Sequence, residues 1–98
     1  MQVQVIENRA DLTGTIREIT PHKELPHQYT VTFDVESVTS VDGMVNLMTW
    51  SKGLSIEVIV SEAEVTKRSL ARLQKVTLRV KQAGPTTVVH VPVLDKPE

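Results

Sequence analysis

Apolar and polar residues alternate along most of this chain, the period-two signature of strands with one buried face. In YTVTFDVE, Tyr29, Val31, Phe33 and Val35 share one phase, and Thr30, Thr32, Asp34 and Glu36 share the other. LSIEVIV repeats the pattern, with Leu54, Ile56, Val58 and Val60 opposite Ser55 and Glu57. KVTLRVK sets Val76, Leu78 and Val80 against Thr77, Arg79 and Lys81. DLTGTIREI makes the first full strand, and Gly14 inside it predicts a bulge or a sharp coil. TTVVHVPVL makes the last. Pro92 has no amide hydrogen for a ladder, so this strand is expected at an edge or bulged there, with His90 facing solvent or a partner. VDG at Val41 to Gly43 signals a turn before MVNLMTW, which reads as a further strand segment. MQVQVIE extends the first strand or pairs separately.

One segment breaks the alternation. SEAEVTKRSLARLQK opens with Ser61 and has Glu64 three residues on, the spacing of a capping box, and its acids precede its bases as a helix dipole prefers. Val65, Leu70 and Leu73 give it an apolar stripe, and at 100° per residue Lys67, Arg68, Arg72 and Lys75 share a face. A helix between the third and fourth strands is the element order of an OB-fold, a partly open five-stranded barrel. The expected fold is therefore mainly β, a small five-stranded OB-like barrel with one short helix, with a small antiparallel sandwich as the alternative. The 98 residues make a single domain, its core about 11–94 and a short flexible C-terminus at 95–98.

Charge changes the picture more than composition does. The net charge is only −1, but residues 1–66 carry ten acids and four bases, whereas 67–94 carry six bases and no acid. Such segregation can mark a polyanion-binding face. With no cysteine, disulfides, thiolate metal sites and cysteine nucleophiles are excluded. No basic start with an apolar stretch and no long apolar run is present, so a cytoplasmic protein without membrane partners is expected.

Several stretches resemble the bacterial single-stranded DNA-binding proteins and the primosomal replication protein that shares their fold. LTGTIREITP resembles the family's first strand, YTVTFDVESV its second, and VDGMVNLMTW ends in a tryptophan as its third-strand region often does. SEAEVTKRSLARLQKVTLRVKQ is similar to its helix and following strand, and TTVVHVPVL to its final strand. The likeness covers nearly all of 11–94 and implies a divergent OB-fold protein that binds single-stranded nucleic acid. Two departures qualify it. The family's long tail with an acidic tip has no counterpart before LDKPE, so a reduced relative is expected, and only Tyr29, Phe33 and Trp50 are aromatic. Tyr29 and Phe33 lie in the core phase, which leaves Trp50 as the candidate stacking platform.

PHKELPH, between the first two strands, holds His22 and His27 around Glu24. Its two prolines disfavour helix and central strand, so it reads as a loop. A five-residue spacing of histidines in a loop is no recognised ligand pattern, even with Glu24 or His90 as a further ligand, so neither metal nor cofactor is expected. Nucleophile elbows and phosphate-cradling glycine loops are absent from the sequence, so no enzyme is expected. Two readings remain. The favoured one is a domain binding single-stranded nucleic acid through Lys67, Arg68, Arg72, Lys75, Arg79 and Lys81, with Arg17, Trp50 and Lys52 lining the path. The alternative is a protein-interaction or assembly module, pairing with itself or a partner through the acidic sheet face or an apolar edge at Val88 to Leu94.

Overall fold

The computed structural model of the chain describes residues 7–85 and 87–91. Its elements are β1 (Ala10–Pro21), β2 (Gln28–Ser40), a 3-10 turn (Thr49–Ser51), β3 (Ser55–Ser61), α1 (Glu62–Lys67), β4 (Lys75–Gln82) and β5 (Val88–His90). The strands close in the order β1-β2-β3-β5-β4, with β4 returning to β1. That is the OB-like barrel the alternation and the helix position predict, and the sandwich is set aside.

Alternation places the core. Val31, Phe33, Val58, Val60, Leu78 and Val80 point inward and are fully buried, joined by Leu12 and Ile16. Each such side chain contributes about 1.5–3 kcal/mol by leaving water. β1 serves two neighbours, pairing β2 along its length and β4 from Ala10 to Thr15, and it bends to do so. Its register against β2 slips between Thr13 and Gly14 and again between Ile16 and Glu18. Gly14 is required at the first slip, because a Cβ there would land on the Asp34 carbonyl oxygen.

The helix starts where its sequence predicts and stops much earlier. Ser61 Oγ accepts a hydrogen bond from the Glu64 amide, and Glu62 and Glu64 occupy the first turn. After Lys67 the chain enters a Schellman motif: Ser69 takes φ 52° and donates to the Thr66 carbonyl, and Leu70 donates to the Val65 carbonyl. Leu70 is buried and Val65 packs against the core, the apolar contact that accompanies this cap. Lys67, Arg68, Arg72 and Lys75 therefore share no helix face: Arg68 caps the helix, Arg72 lies in a turn before Leu73 (φ 69°), and Lys75 opens β4. Leu73 is exposed rather than part of an apolar stripe.

Three other expectations are corrected. MVNLMTW forms no strand. Gly43 makes the expected turn at φ 78°, Val45 makes one isolated bridge to Asn8, and Thr49–Ser51 coil into a 3-10 turn anchored by buried Met48 and Ser51. Leu54, in phase with the β3 core residues, precedes that strand and is half exposed. His90 is buried, because β5 registers it against Val80, which faces the core. β5 is also no edge, since β4 and β3 flank it. The expectations for MQVQVI, Pro92, the rest of the apolar stretch to Leu94 and the 95–98 terminus fall outside the described residues. No helix among the described residues is long and apolar enough to cross a membrane.

Candidate functional site

The histidine loop is built from its own backbone. The His22 amide donates to the Gln28 carbonyl at 2.9 Å, closing the β1–β2 hairpin, and His22 Nδ1 accepts from the Glu24 and Leu25 amides at 3.0 Å each. Its neutral form thus carries the ring proton on Nε2. His27, at φ 60°, accepts from the Glu62 amide through its carbonyl and sets Nδ1 3.1 Å from Glu62 Oε1. The loop is thereby fastened to the start of α1. His22 and His27 serve its conformation, and no group of three or more metal-ligating side chains assembles among the described residues.

Beside this loop lies a hollow of about 410 Å³, bounded by Pro21 to Glu24 and by the strand residues Thr30 and Glu57. A second hollow, about 520 Å³, opens at the other end of β3 between Trp50, Ile56, Glu57, Gln82, Pro85 and Val88. Both volumes lie within the range of small ligand sites. Glu57 borders both, so the two hollows adjoin at β3, one toward the β1–β2 loop and the other toward the β4–β5 loop. Those two loops border the ligand face of OB barrels.

Trp50 is held in place as well as exposed. About half of its surface is open, and its Nε1 donates to Gln82 Oε1 at 3.1 Å. The Gln82 backbone is fixed in turn by Asn8, a buried residue whose side-chain amide donates to the Gln82 carbonyl (3.1 Å) and accepts from its amide (2.8 Å). Asn8 thus does the work of a strand neighbour at the end of β4. On the flanks of Trp50, Ser51 Oγ donates to the Met48 carbonyl and Asn46 accepts from the Met48 amide.

The nine residues expected at a nucleic-acid site divide: Lys75, Arg79 and Lys81 alternate along β4 and Arg68 reaches the Thr77 carbonyl among them, while Trp50 and Lys52 lie at the 3-10 turn. Arg17 pairs with Asp34 at 2.8 Å, Lys75 with Glu36 at 3.0 Å, and Arg79 donates to both oxygens of Asp11 at 2.9 and 3.1 Å. The hydrogen bond from Arg17, helped by Ser55, holds the Asp34 carboxyl below its ordinary pKa, and Asp11 raises that of Arg79. Arg68 donates to the Thr77 carbonyl. Lys52, Lys67, Arg72 and Lys81 make no ion pair among the described residues. Lys67 and Arg72 lie around the end of α1, Lys81 on β4, and only Lys52 is close in sequence to Trp50.

Glu57, Gln82, Pro85 and Asn8 are not singled out by the sequence, whereas Val88 falls in the apolar edge it marks. Gln82 carries a signal, a polar residue in the inward phase of Val76, Leu78 and Val80. Glu57 reads only as an ordinary outward position, and nothing local marks Asn8. No protein family, no curated protein and no solved structure matches the chain.

Proposed function

We propose that this protein is a non-catalytic binding module whose ligand is an extended protein segment, lying across the two hollows as one groove, from the β1–β2 loop past Glu57 to Trp50. The observation that carries the reading is the charge of the groove. Glu57 belongs to both hollows and is the one charged side chain bordering the larger among the described residues. A nucleic-acid strand brings an anionic phosphate with every residue, and a groove floored by a carboxylate repels it. A polypeptide brings apolar side chains for the Trp50, Pro85 and Val88 surfaces and cations for Glu57. Tryptophan held half open by a hydrogen bond is the kind of anchor that carries protein interfaces.

A second reading, single-stranded nucleic acid, is favoured by one observation: exposed Trp50 stands two residues from Lys52, which has no ion-pair partner among the described residues. A base stacked on such an indole contributes about 1–3 kcal/mol. Titrations of Trp50 fluorescence separate the two. One uses a pool of random-sequence peptides rich in valine, isoleucine, lysine and arginine; the other uses oligo-dT at low and high salt. The proposal expects a saturable Trp50 response to the peptides and none to oligo-dT. Saturable quenching by oligo-dT that weakens with salt, with no response to peptide, overturns it in favour of the second reading.

A further inference from the structure

The barrel closes unevenly. β3 is seven residues long and β5 three, and their parallel pairing is confined to Ile59 and Val89. Toward β2, β3 is fully paired, with Ser55, Ile56 and Glu57 opposite Asp34, Phe33 and Thr32. Toward β5, Ser55 to Glu57 have no strand partner among the described residues. The reason lies in the β4–β5 loop. The Ala83 amide donates to the Thr87 carbonyl at 2.8 Å, and Pro85 has no amide hydrogen to offer a strand. The larger hollow lies at this parted seam, with Ile56 and Glu57 on one side and Pro85 and Val88 on the other.

We propose that the seam receives a partner peptide by strand addition, the peptide pairing with the open edge of β3 at Ser55 to Glu57. This deepens the groove reading above and rests on it. An open strand edge gives a peptide its backbone hydrogen bonds, while the side chains of the added strand alternate between the two faces. Chemistry on each face follows from the cross-strand neighbours. Opposite Ile56, whose side chain points into the barrel, the peptide presents an apolar residue over the hollow, against Val88 and the Trp50 ring. Opposite Glu57, which points outward, it presents lysine or arginine. The partner is therefore a segment in which β-branched apolar and cationic residues alternate. Its paired length is short, on the order of 10 Å for the three open residues of β3.

The test uses an end-capped hexapeptide of alternating lysine and valine. It is titrated into the full chain by Trp50 fluorescence beside the same peptide N-methylated at alternate residues, which keeps every side chain and removes backbone donors. Binding by the parent peptide, weakened about tenfold or more by N-methylation in one of the two alternating phases, supports strand addition. The variant Glu57→Lys should weaken the lysine peptide by about fivefold and favour a glutamate–valine peptide by a similar factor. Equal binding of parent and both N-methylated peptides overturns strand addition and leaves the groove reading standing. Absence of any response to the lysine–valine peptide at millimolar concentration overturns the proposed partner class. If the peptide pool of the previous test also gives no response, the groove reading falls with it.

Discussion

Removing three carboxylates should turn a charge-balanced face of the barrel into one that binds polyanions. Arg79, Lys75 and Arg17 each face an acid on a neighbouring strand or one pair along: Asp11, Glu36 and Asp34. Between them these six residues carry no net charge, so a phosphate approaching any of the bases also meets its acid. The triple variant Asp11→Asn, Glu36→Gln and Asp34→Asn keeps side-chain shape and raises the formal net charge from −1 to +2. Three released cations allow about three phosphate contacts, and each contributes about −0.7 to the slope of log K against log salt for a single strand. The slope gained is about −2, so raising salt from about 50 to about 200 mM should weaken the new binding roughly 20-fold. Anisotropy of a labelled oligo-dT reads the effect, with circular dichroism to confirm the fold. Little stability should be lost at Arg17 and Lys75, because pairs this exposed contribute little. Wild-type protein that already binds with a slope of −2 refutes the reasoning, as does a folded triple variant that gains nothing.

Three further outcomes follow from local structure. Gly14→Ala drives a methyl group into the Asp34 carbonyl, backbone that has no room to yield, and should cost about 3 kcal/mol or more; a calorimetric Tm should fall by roughly 12–24 °C. Asn8→Ala leaves the Gln82 amide and carbonyl without their side-chain partner, which should cost about 2–4 kcal/mol in urea unfolding and lower the steady-state anisotropy of Trp50 as Gln82 loosens. Burial holds His90 below its ordinary pKa near 6.5, with Arg68 adding to the shift and Glu64 opposing it. The unfolded chain therefore takes up this proton first as pH falls, so stability should be intact above about pH 6.5 and be lost as pH drops through the folded-state value. His90→Leu should flatten the urea midpoint over that window, and an unchanged slope would count against the assignment.

The sequence is legible where one residue's neighbours decide its place. Alternation in β2, β3 and β4 gives the inward residues directly, and Ser61 with Glu64 marks the helix start because a cap is a local hydrogen bond. The helix end is hidden, since Ser69 takes a left-handed conformation that its identity does not announce, and Leu70 satisfies a helical stripe as well as a Schellman contact. His90 is misread because the run TTVVHVPVL is apolar in both phases, and only its register against Val80 selects one. The site is hidden for a related reason. Acids before residue 67 and bases after it look segregated along the chain, yet pairing of β4 with β1 sets Arg79 against Asp11, and the β1–β2 hairpin brings Asp34 and Glu36 within reach of Arg17 and Lys75. Charge that is sorted in sequence is mixed on the barrel surface. Trp50 is a functional candidate visible from sequence, but its partner Gln82 lies 32 positions away and Asn8, which holds the Gln82 backbone, lies 42 away, beyond any local pattern.

The most direct test of the groove is an amide-resolved NMR titration of isotope-labelled protein with the lysine–valine hexapeptide and, separately, with oligo-dT. The peptide should shift Ser55, Ile56, Glu57, Gly84, Val88 and the Trp50 indole together and saturably, while oligo-dT leaves them in place. Saturable movement of the same resonances by oligo-dT, or peptide shifts confined to the surface around Lys67 and Arg72, would contradict it.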